Sequence, residues 1–189
     1  MSSLLLILLA AVLVSQYAPA MLGTRLFEAT DDYSNSVGLA LASFILIAAV
    51  AIIAYGIDHA VLRPFAIDYL RTFVVIIVIM TLAPVVAASM SKLGSWTPVH
   101  WPLVLVLIGN PAVLGTALQS AVAPDFSTAL WLGIGIGAAF AALLLAFATL
   151  QARVATARVP RAFREMPVAF VTVGLMALAL MGLTGLVRD

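Results

Sequence analysis

Cysteine is absent from this 189-residue chain. That excludes disulfides, thiolate zinc sites, cysteine nucleophiles, covalent haem attachment and an all-cysteine iron–sulfur cluster held by this chain alone. Charge is scarce as well: 9% of residues are charged, against about 25% in a soluble globular protein. The net charge is +1, from 9 Lys and Arg against 8 Asp and Glu, with no basic stripe, so no nucleic-acid partner is expected. The 2 histidines, His59 and His100, both fall near ends of apolar segments, so a haem held mid-membrane between two imidazoles is not expected. No nucleophile–base pair, metal-ligand cluster or phosphate loop stands out, and the chain does not read as a stand-alone enzyme. What remains is apolar. Hydrophobic residues make up 65% of the chain and the mean hydropathy is +1.21, which marks an all-α integral membrane protein.

One short stretch occurs twice. Pro19-Ala20-Met21-Leu22-Gly23-Thr24-Arg25-Leu26 matches Pro111-Ala112-Val113-Leu114-Gly115-Thr116-Ala117-Leu118 at six of eight positions, at an offset of 92 residues. Each copy follows an apolar run and places Pro, then Gly, where a membrane helix should continue. Proline removes a backbone donor and clashes with the preceding turn, at about 3 kcal/mol in a helix interior. Paired interruptions at corresponding positions of two halves point to a site near the bilayer midplane in an inverted-repeat protein.

Six apolar segments are expected, as one membrane domain over residues 1–189. Repeat 1 covers about residues 1–95 and repeat 2 about residues 96–189. Segment 1 covers residues 3–22. Its Ala18-Pro19-Ala20 resembles a signal-peptidase site, but no Lys or Arg precedes the run and the same motif recurs deep in the chain, which favours a retained, broken helix. Segments 2 and 3 cover about residues 37–57 and 72–90, with Pro84 expected to kink the latter. Trp96 and Trp101 read as interface anchors before segment 4, about residues 102–120, which holds Asn110, Pro111 and Gly115. Segment 5, about residues 128–151, carries Gly133, Gly135 and Gly137. Gly133 and Gly137 form a small-xxx-small face for close helix packing. Segment 6 covers about residues 167–187.

Three segments per half force the halves into opposite orientation. The fold expected is therefore a 3+3 inverted repeat of six transmembrane helices, with helices 1 and 4 broken near the midplane. Lysine and arginine set the sidedness. Arg25, Lys92, Arg153, Arg158, Arg161 and Arg164 lie in loops 1–2, 3–4 and 5–6, against Arg63, Arg71 and Arg188 on the other side. That bias puts loop 5–6 in the cytoplasm and both termini outside, in a bacterial-type inner membrane.

Three stretches carry a family resemblance: Val61-Leu62-Arg63-Pro64-Phe65-Ala66-Ile67-Asp68-Tyr69-Leu70-Arg71-Thr72, Asn110-Pro111-Ala112-Val113-Leu114-Gly115, and the glycine- and methionine-bearing run from Gly174 to Leu186. With these the chain resembles the RnfA/NqrE-type membrane subunits of Rnf and Na⁺-translocating NADH:quinone oxidoreductase complexes, the RnfA type most closely, over essentially its whole length. The resemblance implies six spans in an inverted repeat and a homologous six-helix partner of opposite topology. It also implies further redox subunits and a [2Fe–2S] cluster held by one cysteine at each broken helix of the two partners. Matched on the motifs, those cysteine positions fall on Arg25 and Pro111. The fold and the complex are expected to carry over, and the cluster is not.

The candidate site at the two breaks therefore comprises Pro19, Gly23, Thr24, Arg25, Asn110, Pro111, Gly115 and Thr116, with Ser15, Gln16 and Tyr17 nearby. Arg25 reads either as a side chain snorkelling to Glu28, Asp31 or Asp32, or as a fixed cation in a midplane cavity. The uncharged polar groups either satisfy backbone left open by Pro and Gly or coordinate a cation or polar solute. Asp68 and Arg71, three apart, read as a surface ion pair. Asp58 and Glu165 read as connector residues of the same kind, not as proton relays. An alternative function is an ion or solute transporter-like module, or a scaffold subunit, that has lost electron transfer.

Overall fold

The computed structural model describes residues 33–93, 101–155 and 166–186, and every described element is helical. Six helices run in order: α1 (Tyr33–Ile57), α2 (Arg71–Leu93), α3 (Trp101–Ile108), α4 (Pro111–Ala121), α5 (Phe126–Ala155) and α6 (Met166–Leu186). A π-helical turn (Asp58–Leu62) and a 3₁₀ turn (Asp68–Leu70) join α1 to α2. The first apolar segment, with Pro19, Gly23, Thr24 and Arg25, lies outside the described residues, as do Trp96, His100 and Glu165.

Among the described residues, three helices are long and apolar enough to cross a membrane: Val37–Leu62, Asp68–Met90 and Phe126–Val154. Each is at least 23 residues, and about 20 residues at 1.5 Å rise suffice for ~30 Å of hydrocarbon. Their outer faces are built for lipid. Phe73, Ile77, Met80 and Val85 on α2, Trp131 on α5, and Leu175, Leu178 and Met181 on α6 are all exposed. An apolar surface this extensive is unstable in water.

α1 is the central element. It packs most extensively against α5, then α4, then α2. Of its most apolar stretch 56% is buried, against 33% and 28% for the other two long spans. Leu46, Ile47 and Val50 of α1 meet Phe140, Leu144 and Phe147 of α5, and Val113, Ala117 and Ala121 of α4, in one core cluster. The periodicities follow from helix geometry: 113, 117 and 121 recur every four residues, as do 140 and 144, and residues so spaced share a helix face. α2 flanks α1, and α6 packs on α5.

The glycines of segment 5 act through packing. A Cβ on Gly133 would stand 2.7 Å from the Ala51 Cβ, and one on Gly137 would stand 3.1 Å from the Phe44 ring. Gly135 faces open space. The two small residues thus let the α1 and α5 backbones approach. α2 runs through Pro84 without interruption, although proline leaves the Met80 carbonyl without its helical partner.

Candidate functional site

Segment 4 is two helices, not one. α3 ends at Ile108 and α4 begins at Pro111. Asn110 sits between them in an extended conformation, φ −75° and ψ 110°. Its side-chain Oδ1 accepts from the Ala112 N–H at 3.0 Å, and Thr116 Oγ1 donates to the Ala112 carbonyl at 2.7 Å. Asn110 is the N-cap of α4 and Pro111 its first residue, the positions each residue type favours. On the other side, the Gly109 N–H donates to the Leu105 carbonyl at 2.9 Å and closes α3. A Cβ at Gly109 would stand 3.2 Å from that same oxygen, so the tight closure suits glycine.

This local chemistry leaves groups open. The helical partner of the Leu107 carbonyl would be the nitrogen of Pro111, which bears no hydrogen. The partner of the Ile108 carbonyl would be the Ala112 N–H, which the Asn110 cap already holds. Asn110 itself is 2% exposed, and its Nδ2 meets no acceptor among the described residues. A buried donor left unpaired costs about 1–3 kcal/mol. Ser120 lies four residues beyond Thr116, fully buried, and its Oγ is also without a partner among the described residues.

Of the eight residues expected at the two breaks, the described structure thus holds four. Asn110, Pro111 and Thr116 form one hydrogen-bonded unit around Ala112. Gly115 lies inside α4, with nothing within 4 Å of where its Cβ would be. The interruption falls at Gly109–Asn110, and Gly115 takes no part in it. Replacing Asn110 by alanine removes the cap and should lower stability by about 1–2 kcal/mol, whereas serine keeps a capping oxygen and should cost little. Denaturation midpoints of the two variants check this, and equal losses would remove the cap from the account.

A second polar cluster lies at the end of α1. Asp58 is 1% exposed and held by two arginines. Arg63 Nε donates to its Oδ2 at 2.9 Å and Arg71 Nε to its Oδ1 at 2.6 Å. Arg71 Nη2 also lies 3.4 Å from Asp68 Oδ1, at the surface. The expected Asp68–Arg71 contact is therefore the outer, longer part of an anchor whose centre is Asp58. Sequence reading placed Asp58 at the surface, and its burial corrects that. The connector is shaped to make the contact. The Arg63 N–H donates to the Asp58 carbonyl and the Ile67 N–H to the Leu62 carbonyl, while Ala66 takes a left-handed φ of 53°. Such a φ costs a non-glycine residue roughly 1–2 kcal/mol and turns the chain back toward α2.

Tyr55 stacks on His59 at 4.0 Å and meets Phe126 edge-on at 5.8 Å. His59 Nδ1 lies 3.2 Å from the Tyr55 carbonyl. The contact with Phe126 puts the connectors after α1 and before α5 on the same side. No group of three or more His, Cys, Asp or Glu able to hold a metal ion occurs among the described residues.

Long apolar helices with lipid-facing outer surfaces, packed through small residues and interrupted by a capped break between α3 and α4, define an all-α membrane protein. Its family follows from comparison with known proteins. Residues 5–187 match the Rnf-Nqr subunit family of membrane proteins, and the chain belongs to that family. Over the full length of both chains it is 35% identical to a subunit of the ion-translocating oxidoreductase complex of Pseudomonas paraeruginosa. It is likewise 33% identical to the corresponding protein of Vibrio campbellii and 32% identical to that of Shewanella sp. ANA-3.

Proposed function

We propose that this chain is a membrane subunit of a redox-driven ion-translocating complex of the Rnf/Nqr type, and that it holds no [2Fe–2S] ligands of its own. The family membership and the full-length similarity to subunits of ion-translocating oxidoreductase complexes support this reading. In it the chain has six spans in a 3+3 inverted repeat, with both termini outside and loop 5–6 cytoplasmic. It pairs with a homologous six-helix subunit of opposite topology. The two halves meet at a midplane site made by Pro19, Gly23, Thr24 and Arg25 from one break and Asn110, Pro111 and Thr116 from the other. The shared side of the connectors after α1 and before α5 agrees with alternating spans.

The donor set carries the second half of the proposal. A [2Fe–2S] unit is held by deprotonated thiolates, or by imidazoles at some positions. This chain has no cysteine, and the break offers a proline, an amide and backbone carbonyls. These do not fit the cluster. Electrons that cross the membrane in such a complex therefore travel on carriers of other subunits.

Affinity purification of the full-length chain should recover a homologous six-span protein together with flavin- or iron–sulfur-bearing subunits. Recovery as a lone protein or homodimer would sink the assignment. Iron and acid-labile sulfide should be near zero in the isolated chain, and its reduced pair with the partner should show no [2Fe–2S] EPR signal. The unpartnered polar groups at the break favour one other reading, a transporter-like module without electron transfer. Cation or solute flux in liposomes without any redox subunit would select that reading. Flux strictly dependent on substrate oxidation would remove it.

A further inference from the structure

Residues 107–112 bring together polar groups with opposite requirements. The Leu107 and Ile108 carbonyls lack helical donors, one because Pro111 has no N–H and the other because the Asn110 cap holds the Ala112 N–H. Asn110 Nδ2 is a donor, buried to 2% exposure and without an acceptor among the described residues. The amide cannot be turned to reverse this, because Oδ1 is fixed by the Ala112 N–H at 3.0 Å. A bare alkali cation would satisfy the carbonyls but would face the positive end of the Nδ2–H bond. An anion would satisfy Nδ2 but would face the carbonyls. The C-terminal end of α3 and the N-terminal end of α4 meet here with opposite partial charges, so neither sign is favoured by the helix dipoles.

A neutral protic ligand answers both requirements. Its oxygen accepts from Nδ2, and its O–H donates to a carbonyl. Buried water typically makes about 2–4 such bonds to polar groups that lack protein partners. We infer that the α3–α4 break binds a water molecule through Asn110 Nδ2 and the open carbonyls, in preference to a dehydrated sodium ion. The inference rests on the reading of this break as the functional site and specifies what that site holds. An ion that reached this point would keep its water, or would be a proton carried by it.

Asparagine occurs only at positions 35 and 110, so a ¹⁵N-asparagine label gives two side-chain amide pairs. This chain alone is labelled in the assembled complex, or in the full-length protein in a bilayer if no partner is recovered. Loss of one pair in N110D assigns the signals, and N35Q assigns them independently should N110D fail to assemble. The Asn110 pair is expected to show a direct dipolar contact to a long-lived water and to stay in place as sodium chloride replaces choline chloride. Absence of the water contact, a saturable shift with sodium, or a coupling across a hydrogen bond to a protein carbonyl would each overturn the inference. The readout needs no turnover, so it fails or succeeds separately from the redox-linked flux that tests the proposed function.

Discussion

Replacing Arg71 by methionine is expected to destabilise the protein more than replacing Asp58 by alanine, although both break the same 2.6 Å ion pair. The asymmetry comes from burial. Asp58 is 1% exposed, whereas the side chains of Arg63 and Arg71 are 43% and 24% exposed. Removing Arg71 strands a carboxylate oxygen in the interior. Removing Asp58 leaves two guanidinium groups that already reach the protein surface and can be solvated there. Breaking a buried pair from the side that leaves a buried charge costs about 3–5 kcal/mol. Arg63, which still holds Oδ2, should keep the loss near the lower end. The double variant D58A/R71M should be more stable than R71M alone, since it no longer buries an unpaired charge. Denaturant titration of the four proteins decides the matter. A double variant no better than R71M would mean that the anchor acts through packing and not charge.

Gly133→Ala and Gly135→Ala should change stability in opposite directions, two residues apart on the same helix. At Gly133 the new Cβ would stand 2.7 Å from the Ala51 Cβ and 3.4 Å from the Ala48 Cα. Neither neighbour is a flexible side-chain end, so the helices must separate, and overpacking of this kind costs about 1–3 kcal/mol. At Gly135 nothing lies within 4 Å, and alanine in a helix interior is favoured over glycine by roughly 0.5–1 kcal/mol. A51G should restore much of what G133A loses. If G133A stabilises, or A51G fails to rescue it, the α1–α5 contact is not set by Gly133.

Hydropathy made the positions of the long helices among the described residues legible. The expected segments at residues 37–57, 72–90, 128–151 and 167–187 fall on α1, α2, α5 and α6 to within a few residues, because a long uncharged run has few other solutions. The interruption in segment 4 was legible for the same reason that it forms: Asn followed by Pro is an N-cap followed by a first helical residue. Gly115 falls inside α4, since glycine within a helix accompanies tolerance of a missing side chain as readily as a break. Asp58 was missed because a one-dimensional reading counts it with a charged connector. Its burial depends on Arg63 and Arg71, 5 and 13 residues further on, being folded back by a π-helical turn that composition does not announce. Ser120 could have been found, as it stands four residues after Thr116 on the same face. That Asn110 Nδ2 meets no acceptor among the described residues is a property of three dimensions alone.

The length of α5 has a consequence for the height at which its end stands. Its 30 residues rise about 45 Å, against roughly 30 Å of hydrocarbon. Absorbing the excess by tilt would need an angle of roughly 48°, beyond the ~40° limit that membrane helices adopt. Part of the rod must therefore stand outside the hydrocarbon, in the headgroup layer. Its first turn opens on Phe126, while Gln151 and Arg153 close it, so the overhang belongs to the closing end. α5 is thus a mast as well as a span. Its closing turn carries Gln151 and Arg153 into the headgroup layer, where a polar and a cationic side chain are solvated.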